Sequence, residues 1–367
     1  MNTPVWEGGG WPGLPKLEGS LEAEVCVVGL GGSGLSAILE LLRLGRRVVG
    51  LDAGRVAGGA AGRNGGFLLA GLARFYHQSV RAYGRERARR VYQATLEQIE
   101  RMARETPEAV RRVGSLRVAA SSEELEDCEA HLAALRADGF AAWPYAGPEG
   151  EGILLPDDAA MNPLLRCRRL ARKALEAGAR LFEQSPALEI RWGEVRTPKG
   201  RVRCEGVLVA VDGRLEQVLP ELEGRVRTAR LQMLATAPIP PRFPRPVYRR
   251  WGYDYFQQLP DGRLALGGMR DREEAAEWTC SDEPTPSLQR RLEGWLEALG
   301  VRAPVTHRWA ASVGYTPTGW PIAEEVRPGV WAIGGYSGTG NVVGARLGRE
   351  VAWALCGQRM PGAVFLP

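Results

Sequence analysis

Lysine is almost absent from this chain of 367 residues. Of its 48 basic residues only Lys16, Lys173 and Lys199 are lysines, so nearly all the positive charge behind the net +5 is arginine. The arginines are scattered and interleaved with acids, as in Arg85-Glu86-Arg87. That suits surface ion pairs and gives no basic block of the kind that holds nucleic acid. Histidine is equally scarce, and His77, His131 and His307 lie too far apart for metal-ligand spacing. His131 falls in a charged helical stretch and is expected to be exposed. The six cysteines include no CxxC pair, which leaves no signal for a zinc or dithiol site and suits a reducing cytoplasm. No GxSxG string is present. No apolar run is long enough to span a bilayer, and the first 15 residues lack the basic start and apolar run of a secretory signal.

Apolar spacing supplies the organisation. Residues 24–28 read as a buried parallel strand, 33–44 as a helix stopped by Gly45, and 47–51 as a second strand ending at Asp52. Long helices are predicted over 76–105 and 122–137, with a strand at 115–120 between them. A helix at 163–178 feeds a strand at 180–183. A small meander follows at 188–192, 194–197 and 201–204, then a strand at 206–211. From residue 225 the pattern turns to β, with strands at 227–235, 248–259 and 263–267. The last pair flanks Pro260-Asp261-Gly262, a hairpin turn. A helix at 288–299, a strand at 330–334 and a helix at 344–355 complete the reading.

The string Gly29-Leu30-Gly31-Gly32-Ser33-Gly34 follows a strand and opens a helix, as the dinucleotide fingerprint GxGxxG requires. Gly29 permits the tight turn, Gly31 lets a pyrophosphate approach the backbone, and Gly34 allows helix and strand to touch. The helix start presents N–H groups to phosphate, and Asp52 at the end of the next strand can accept from ribose hydroxyls. This constellation fits NAD and FAD alike.

Further segments point to FAD. Residues 17–19 and 23–29, then Leu51-Asp52-Ala53-Gly54-Arg55, and above all Gly62-Arg63-Asn64-Gly65-Gly66, resemble the FAD-dependent amino-acid and amine oxidoreductases of the D-amino-acid oxidase type. The likeness is greatest to the branch that includes gamma-glutamylputrescine oxidoreductase. Met161-Asn162-Pro163 and Ser185-Pro186-Ala187 are similar to that family's middle FAD segment. Val209-Ala210-Val211-Asp212-Gly213 is similar to its returning strand, and Gly334 through Asn341 to its final flavin loop. The resemblance implies an α/β fold in which a Rossmann-like FAD-binding domain is interleaved with an α+β substrate domain built on an antiparallel sheet. The expected FAD-binding domain comprises residues 1–75, 150–225 and 305–367, and the substrate domain residues 76–149 and 226–304. It implies non-covalent FAD held by Gly29, Gly31, Gly32, Ser33, Gly34, Asp52, Ala53, Arg55, Arg63, Asn64, Gly65, Gly66, Ala187, Ala210, Gly335, Ser337, Gly338, Thr339, Gly340 and Asn341.

The chain departs from the family at Ala61, where Ser is usual, at Asp52, where Glu is commoner, and at Thr339, where His is frequent. Val313 stands where amino-acid-oxidising members often carry a carboxylate-binding Arg. That points away from glycine, sarcosine or a simple D-amino acid. None of the three lysines falls where sarcosine-oxidase-like members place one for oxygen, so the electron acceptor is oxygen or another carrier.

The implied reaction is oxidation of a CH–NH or CH–NH2 group in a small amine or amino acid, by hydride transfer to flavin, giving an imine that hydrolyses. The alternatives are a flavin dehydrogenase using a different acceptor and a non-catalytic FAD-binding relative. Trp251, Tyr253 and Tyr255 alternate along the strand at 248–259 and share one face, as a core stripe or a substrate wall would. Arg270 suits a distal carboxylate or a solvated surface alike. Tyr315 and Tyr336 are further candidate substrate contacts. Tyr253, Tyr255, Arg270 and Tyr336 are the candidate catalytic residues. No metal, nucleic-acid partner or membrane span is expected, a cytoplasmic enzyme is, and no signal for oligomeric state is present.

Overall fold

The computed structural model describes residues 2–8 and 10–366. Met1 and Pro367, the outer limits of the expected FAD-binding domain, lie outside the described residues, as does Gly9. The chain forms two compact units. One contains Met1–Glu7, Arg63–Asn162 and Ala229–Ser312; the other contains Gly8–Gly62, Pro163–Thr228 and Val313–Pro367. Where the resemblance implies boundaries at 75/76, 149/150, 225/226 and 304/305, the units divide after Gly62, Asn162, Thr228 and Ser312. Residues 63–75 and 150–162 fall with the first unit because their strands pair there. Phe67–Leu68 and Val110–Arg111 both bond to Ala159–Met161.

The second unit is a doubly wound layer. Its six-stranded sheet runs Arg180–Phe182, Val48–Leu51, Val25–Val28, Gly206–Val209, Val330–Gly334, Ile322–Arg327, parallel except for the last pair. The central strands are buried on both faces, hence their unbroken apolar sequences VCVV, GVLV and VWAIG. The helix Gly32–Arg43 packs against Val343–Leu355 and Pro163–Glu176. A small sheet of Gly19–Glu22, Gly200–Arg203, Glu194–Arg196 and Glu189–Arg191 completes the unit.

The first unit is built on an eight-stranded sheet, whose pairs from Arg227–Thr236 across to Trp143–Gly147 are antiparallel apart from Val247–Arg249 beside Ser115–Val118. One face carries Leu116, Val247, Phe256 and Leu266 against Leu292 and Trp295 of the helix Pro286–Ala298. The opposite face presents a row across five strands in register: Arg117, Tyr248, Tyr255, Gly267 and Met233.

Three expectations are corrected. The helix predicted over 76–105 is two, Tyr76–Tyr83 and Arg85–Glu105, because Gly84 adopts φ +83° between them. The strand predicted over 248–259 is broken by a 3-10 turn at Arg250–Gly252, where Trp251 takes φ +53°. Trp251, Tyr253 and Tyr255 therefore share no common face, and only Tyr255 lies on a strand. His131 is buried at 2% exposure, and its Nδ1 accepts the Tyr76 N–H. Despite the charges flanking it in sequence, it lies on the face of the helix Ser122–Ala137 that meets the helix Tyr76–Tyr83.

Glu40 ties two helices of the second unit together. It is 1% exposed, accepts from Arg43 Nη2 at 2.6 Å and Trp353 Nε1 at 2.8 Å, and pairs with Arg349 at 3.2 Å. Burial alone would raise its carboxyl, but those three partners outweigh burial and hold it at about 2. A depressed carboxyl stabilises the fold above the unfolded value of 4.5, and that contribution fades as pH falls toward 2. Glu40→Gln is expected to cost about 3 kcal/mol at neutral pH. In thermal melts, the gap between wild type and variant should close as pH drops from 4.5 to 2; a gap that stays constant would count against this assignment.

Candidate functional site

The fingerprint turn is set by contact distances. Gly29 has φ +106°, and a Cβ there would stand 2.6 Å from the Ala210 carbonyl oxygen. At Gly34 a Cβ would stand 1.9 Å from the Gly29 oxygen, so helix and strand touch backbone to backbone. Gly32 has open space, and the only atom near a Cβ at Gly31 is Ala61 Cβ, at 3.1 Å. No side chain caps this helix. Among the described residues the N–H groups of Gly31, Gly32, Ser33 and Gly34 have no acceptor. They form an anion cradle at a helix start.

Asp52 lies beside the cradle. Its Oδ2 accepts Leu30 N–H and its Oδ1 accepts Gly54 N–H, both at 2.8 Å, leaving lone pairs on each oxygen. Burial pushes this carboxyl above its usual range, against those two donors. Ala53 and Arg55 follow on an exposed turn. Ala187 is half-buried, and its backbone makes no hydrogen bond among the described residues. Ala210 donates its N–H to Val28 O at 2.8 Å and so holds the returning strand in place.

The C-terminal loop of the same unit is organised by Asp212, which the sequence reading quoted only as part of a strand end. Its Oδ1 accepts Tyr336 N–H at 3.0 Å and its Oδ2 accepts Gly314 N–H at 3.2 Å. Desolvation pushes this carboxyl up to about 6 despite those donors. Gly335 and Ser337 take positive φ, Gly338 has open space around it, and Thr339 Oγ1 donates to Tyr336 O. Asn341 ends the loop before the helix Val343–Leu355. Tyr336 is 3% exposed, its ring packed on Gly340 and Gly344. It is the buried centre of the loop and presents no open face. Tyr315 is half-buried at the end of Val305–Tyr315.

The Gly62-Arg63-Asn64-Gly65-Gly66 string crosses from one unit to the other. Within the first unit, Arg63 Nε donates to Ala310 O at 2.7 Å and its Nη2 to Asn2 O at 3.1 Å. Asn64 Oδ1 accepts Gly66 N–H at 2.8 Å. Gly66 has φ +73°, and a Cβ there would strike Met161 O at 2.2 Å. Gln257 Nε2 donates to the Gly65 carbonyl and, at 3.3 Å, to that of Gly66. Asn64 thus holds the string's own shape, while Arg63 ties it to the backbone at Ala310 and Asn2.

Tyr255 stands at this loop: a Cβ on Gly65 would lie 3.3 Å from its ring. Tyr255 stacks on Tyr248 at 5.7 Å, and Phe67 meets both edge-on, at 5.8 and 4.9 Å. Phe67 and Tyr248 escaped the sequence reading, although alternation with Tyr255 across a hairpin would have paired Tyr248 with it. Arg270 is 8% exposed, with its guanidinium over Trp278 at 4.8 Å and Tyr253 at 5.7 Å. It is a stacked residue and not a solvated surface arginine.

Among the described residues no helix is long and apolar enough to cross a membrane, and no group of three or more His, Cys, Asp or Glu is placed to hold a metal ion.

An anion cradle, a ribose-side carboxylate and a free backbone edge at Ala187 fit a dinucleotide flavin. The chain matches the DAO family, FAD dependent oxidoreductase, over residues 24–354, and it belongs to that family. FAD is its cofactor. It is 29% identical to a probable oxidoreductase OrdL of Rhizobium meliloti (strain 1021), over 95% of this chain and 89% of that one. It is 28% identical to gamma-glutamylputrescine oxidoreductase of Escherichia coli (strain K12), over 93% and 85%. Glycine oxidase from Geobacillus kaustophilus shares the fold, with TM-score 0.78 at 18% identity over 93% of this chain and 96% of that one. L-Proline dehydrogenase from P. horikoshii does so at 0.74 and 18%, over 96% of each.

Gly31→Asp sets a carboxylate against the cradle and is expected to abolish FAD retention, whereas Gly32→Ala, with open space around it, keeps most of it. The flavin-to-protein absorbance ratio reads both. Normal flavin content in Gly31→Asp would remove the cradle from the binding site.

Proposed function

We propose that this FAD-dependent oxidoreductase oxidises the C–N bond of an amine or amino acid. A hydride equivalent leaves the carbon beside nitrogen and a proton leaves the nitrogen, and water hydrolyses the resulting imine. The observation that carries this reading is the aromatic group Phe67, Tyr248 and Tyr255 set against Gly65. Gly65 belongs to the loop that the family resemblance puts beside the flavin. The names of gamma-glutamylputrescine oxidoreductase, glycine oxidase and L-proline dehydrogenase each include an amino compound, which supports the same class.

Bound FAD supplies the hydride acceptor. The protein's part is to orient the substrate and to keep its nitrogen neutral, since the lone pair stabilises the cation that develops at carbon. Aromatic walls disfavour an ammonium by desolvation and so lower the substrate's effective pKa. Tyr255 forms the wall nearest the loop. In the second unit the family resemblance assigns the cofactor to the Gly29–Gly34 turn, Asp52, Ala187 and residues 335–341, and in the first unit to Arg63–Gly66.

The direct test is anaerobic bleaching of the bound flavin by a panel of amines, N-methyl amino acids and D-amino acids; no bleaching by any of them would end the proposal. Parallel turnover with oxygen and with an artificial acceptor assigns oxidase or dehydrogenase. For a substrate so found, kcat/KM should rise with pH up to the pKa of the free amine, and a flat profile there would contradict the need for a neutral nitrogen. Tyr255→Ala is expected to raise KM about tenfold, the loss of roughly one aromatic contact with its burial, while Tyr255→Phe stays near wild type.

A further inference from the structure

The segment of residues 2–6 belongs to the first unit and is tied there to the string Arg63–Gly66. Val5 and Trp6 are buried, at 2% and 6% exposure. Trp6 Nε1 donates to Asn64 O at 2.8 Å, and a Cβ on Gly66 would lie 3.3 Å from the Trp6 ring. Asn2 makes the second tie. It forms a parallel bridge with Arg308, and its Nδ2 donates to Asp282 O at 2.7 Å. Its Oδ1 accepts Ala310 N–H at 3.1 Å and also accepts from Arg63 Nη2, which donates as well to Asn2 O at 3.1 Å.

These ties answer a physical problem. Gly62, Gly65 and Gly66 make the string rich in the residue that loses most conformational freedom on ordering. Contacts from outside must therefore hold its shape. They fall on its carbonyls. Arg63 O accepts from Trp309 Nε1 at 2.7 Å, Asn64 O from Trp6 Nε1, Gly65 O from Gln257 Nε2, and Gly66 O from Met161 N–H at 2.7 Å. The Gly65 N–H differs. Gly65 is buried, and among the described residues its N–H has no acceptor. A buried backbone donor is seldom left so without use. The string thus turns its acceptors to the protein and keeps a donor for a ligand, and a flavin ring is rich in acceptor nitrogen and oxygen.

We propose that Asn2 and Trp6 are positioning residues for the flavin, which lock the backbone of Arg63 and Asn64 and so fix the string where it meets the cofactor. Trp6 holds the Asn64 carbonyl directly. Asn2 acts through the Arg63 guanidinium, whose Nε also donates to Ala310 O at 2.7 Å. Ala310 donates its own N–H to the same Asn2 oxygen, so one amide side chain closes the arrangement. This rests on the reading that puts the string beside the flavin.

The test uses the FAD-loaded protein without any amine. Dilution with the rise of free-flavin fluorescence gives the dissociation constant, and visible circular dichroism at saturating FAD reads the surroundings of the bound flavin. Trp6→Phe keeps a ring and loses the donor; Asn2→Leu removes the acceptor shared by Arg63 and Ala310. Each should weaken FAD about tenfold, the scale of one buried hydrogen bond, and alter the visible dichroism. Asn2→Asp keeps that acceptor and should retain most of the affinity, a rescue that a merely space-filling role would not give. Trp6→Phe decides the matter if Asn2→Leu does not fold. Gly65→Ala disturbs the string itself, since a Cβ there would stand 2.5 Å from the Phe67 ring, and is the reference. If Gly65→Ala alters FAD binding while Trp6→Phe and Asn2→Leu do not, the lock is overturned by itself. If Gly65→Ala also leaves affinity and dichroism unchanged, the string does not lie beside the flavin and both readings fall.

Discussion

Everything on the cofactor side depends on how closely the first helix approaches the strand before it. With 1.9 Å between a virtual Cβ at Gly34 and the Gly29 carbonyl oxygen, any side chain at Gly34 would push the helix away. The same helix is approached from its other flank. A Cβ on Gly348 would stand 2.2 Å from Ser33 O, and one on Gly344 3.4 Å from Ser33 Cβ. Glycines on both sides thus clamp a single turn, Gly32 to Ser36. The N–H groups of Gly31 to Gly34 remain without acceptors, since no side chain caps them. That vacancy in the hydrogen-bond accounting of a helix end is what makes the turn an anion site.

The first unit solves a different problem with the same means. Its sheet keeps one apolar face for the helix Pro286–Ala298 and sets the Tyr248 and Tyr255 row on the other. Glycine makes room on the second face. A Cβ at Gly267 would lie 2.8 Å from the Tyr255 ring and 2.5 Å from Met233, and one at Gly65 would lie 2.5 Å from Phe67. Tyr255 can lie flat beside Tyr248 because its neighbour in the row has no side chain. Gln257, on the same face, then fastens the Gly65–Gly66 backbone to the sheet. Loop and aromatic group are held by one strand, so their spacing is set by sheet geometry and not by loop flexibility.

How much of this is readable in the linear chain follows from how local each signal is. The strand–turn–helix at residues 25–43 was legible because glycine spacing and apolar runs report a local geometry. The strands at 180–182 and 330–334 and the helix at 122–137 were legible for the same reason. The break at Gly84 was not, since an isolated glycine within helical spacing gives no sign of its φ. Trp251 was misread because alternation persists in sequence through a turn that reverses the chain; only its bonds to Glu124 Oε1 and Asp127 Oδ2, more than 100 residues away, hold it outside the strand. His131 reads as exposed until the helix Tyr76–Tyr83 is laid over it. The FAD segments were recognisable by family likeness, but the sequence could not say that Arg63 spends its donors on Ala310 O and Asn2 O.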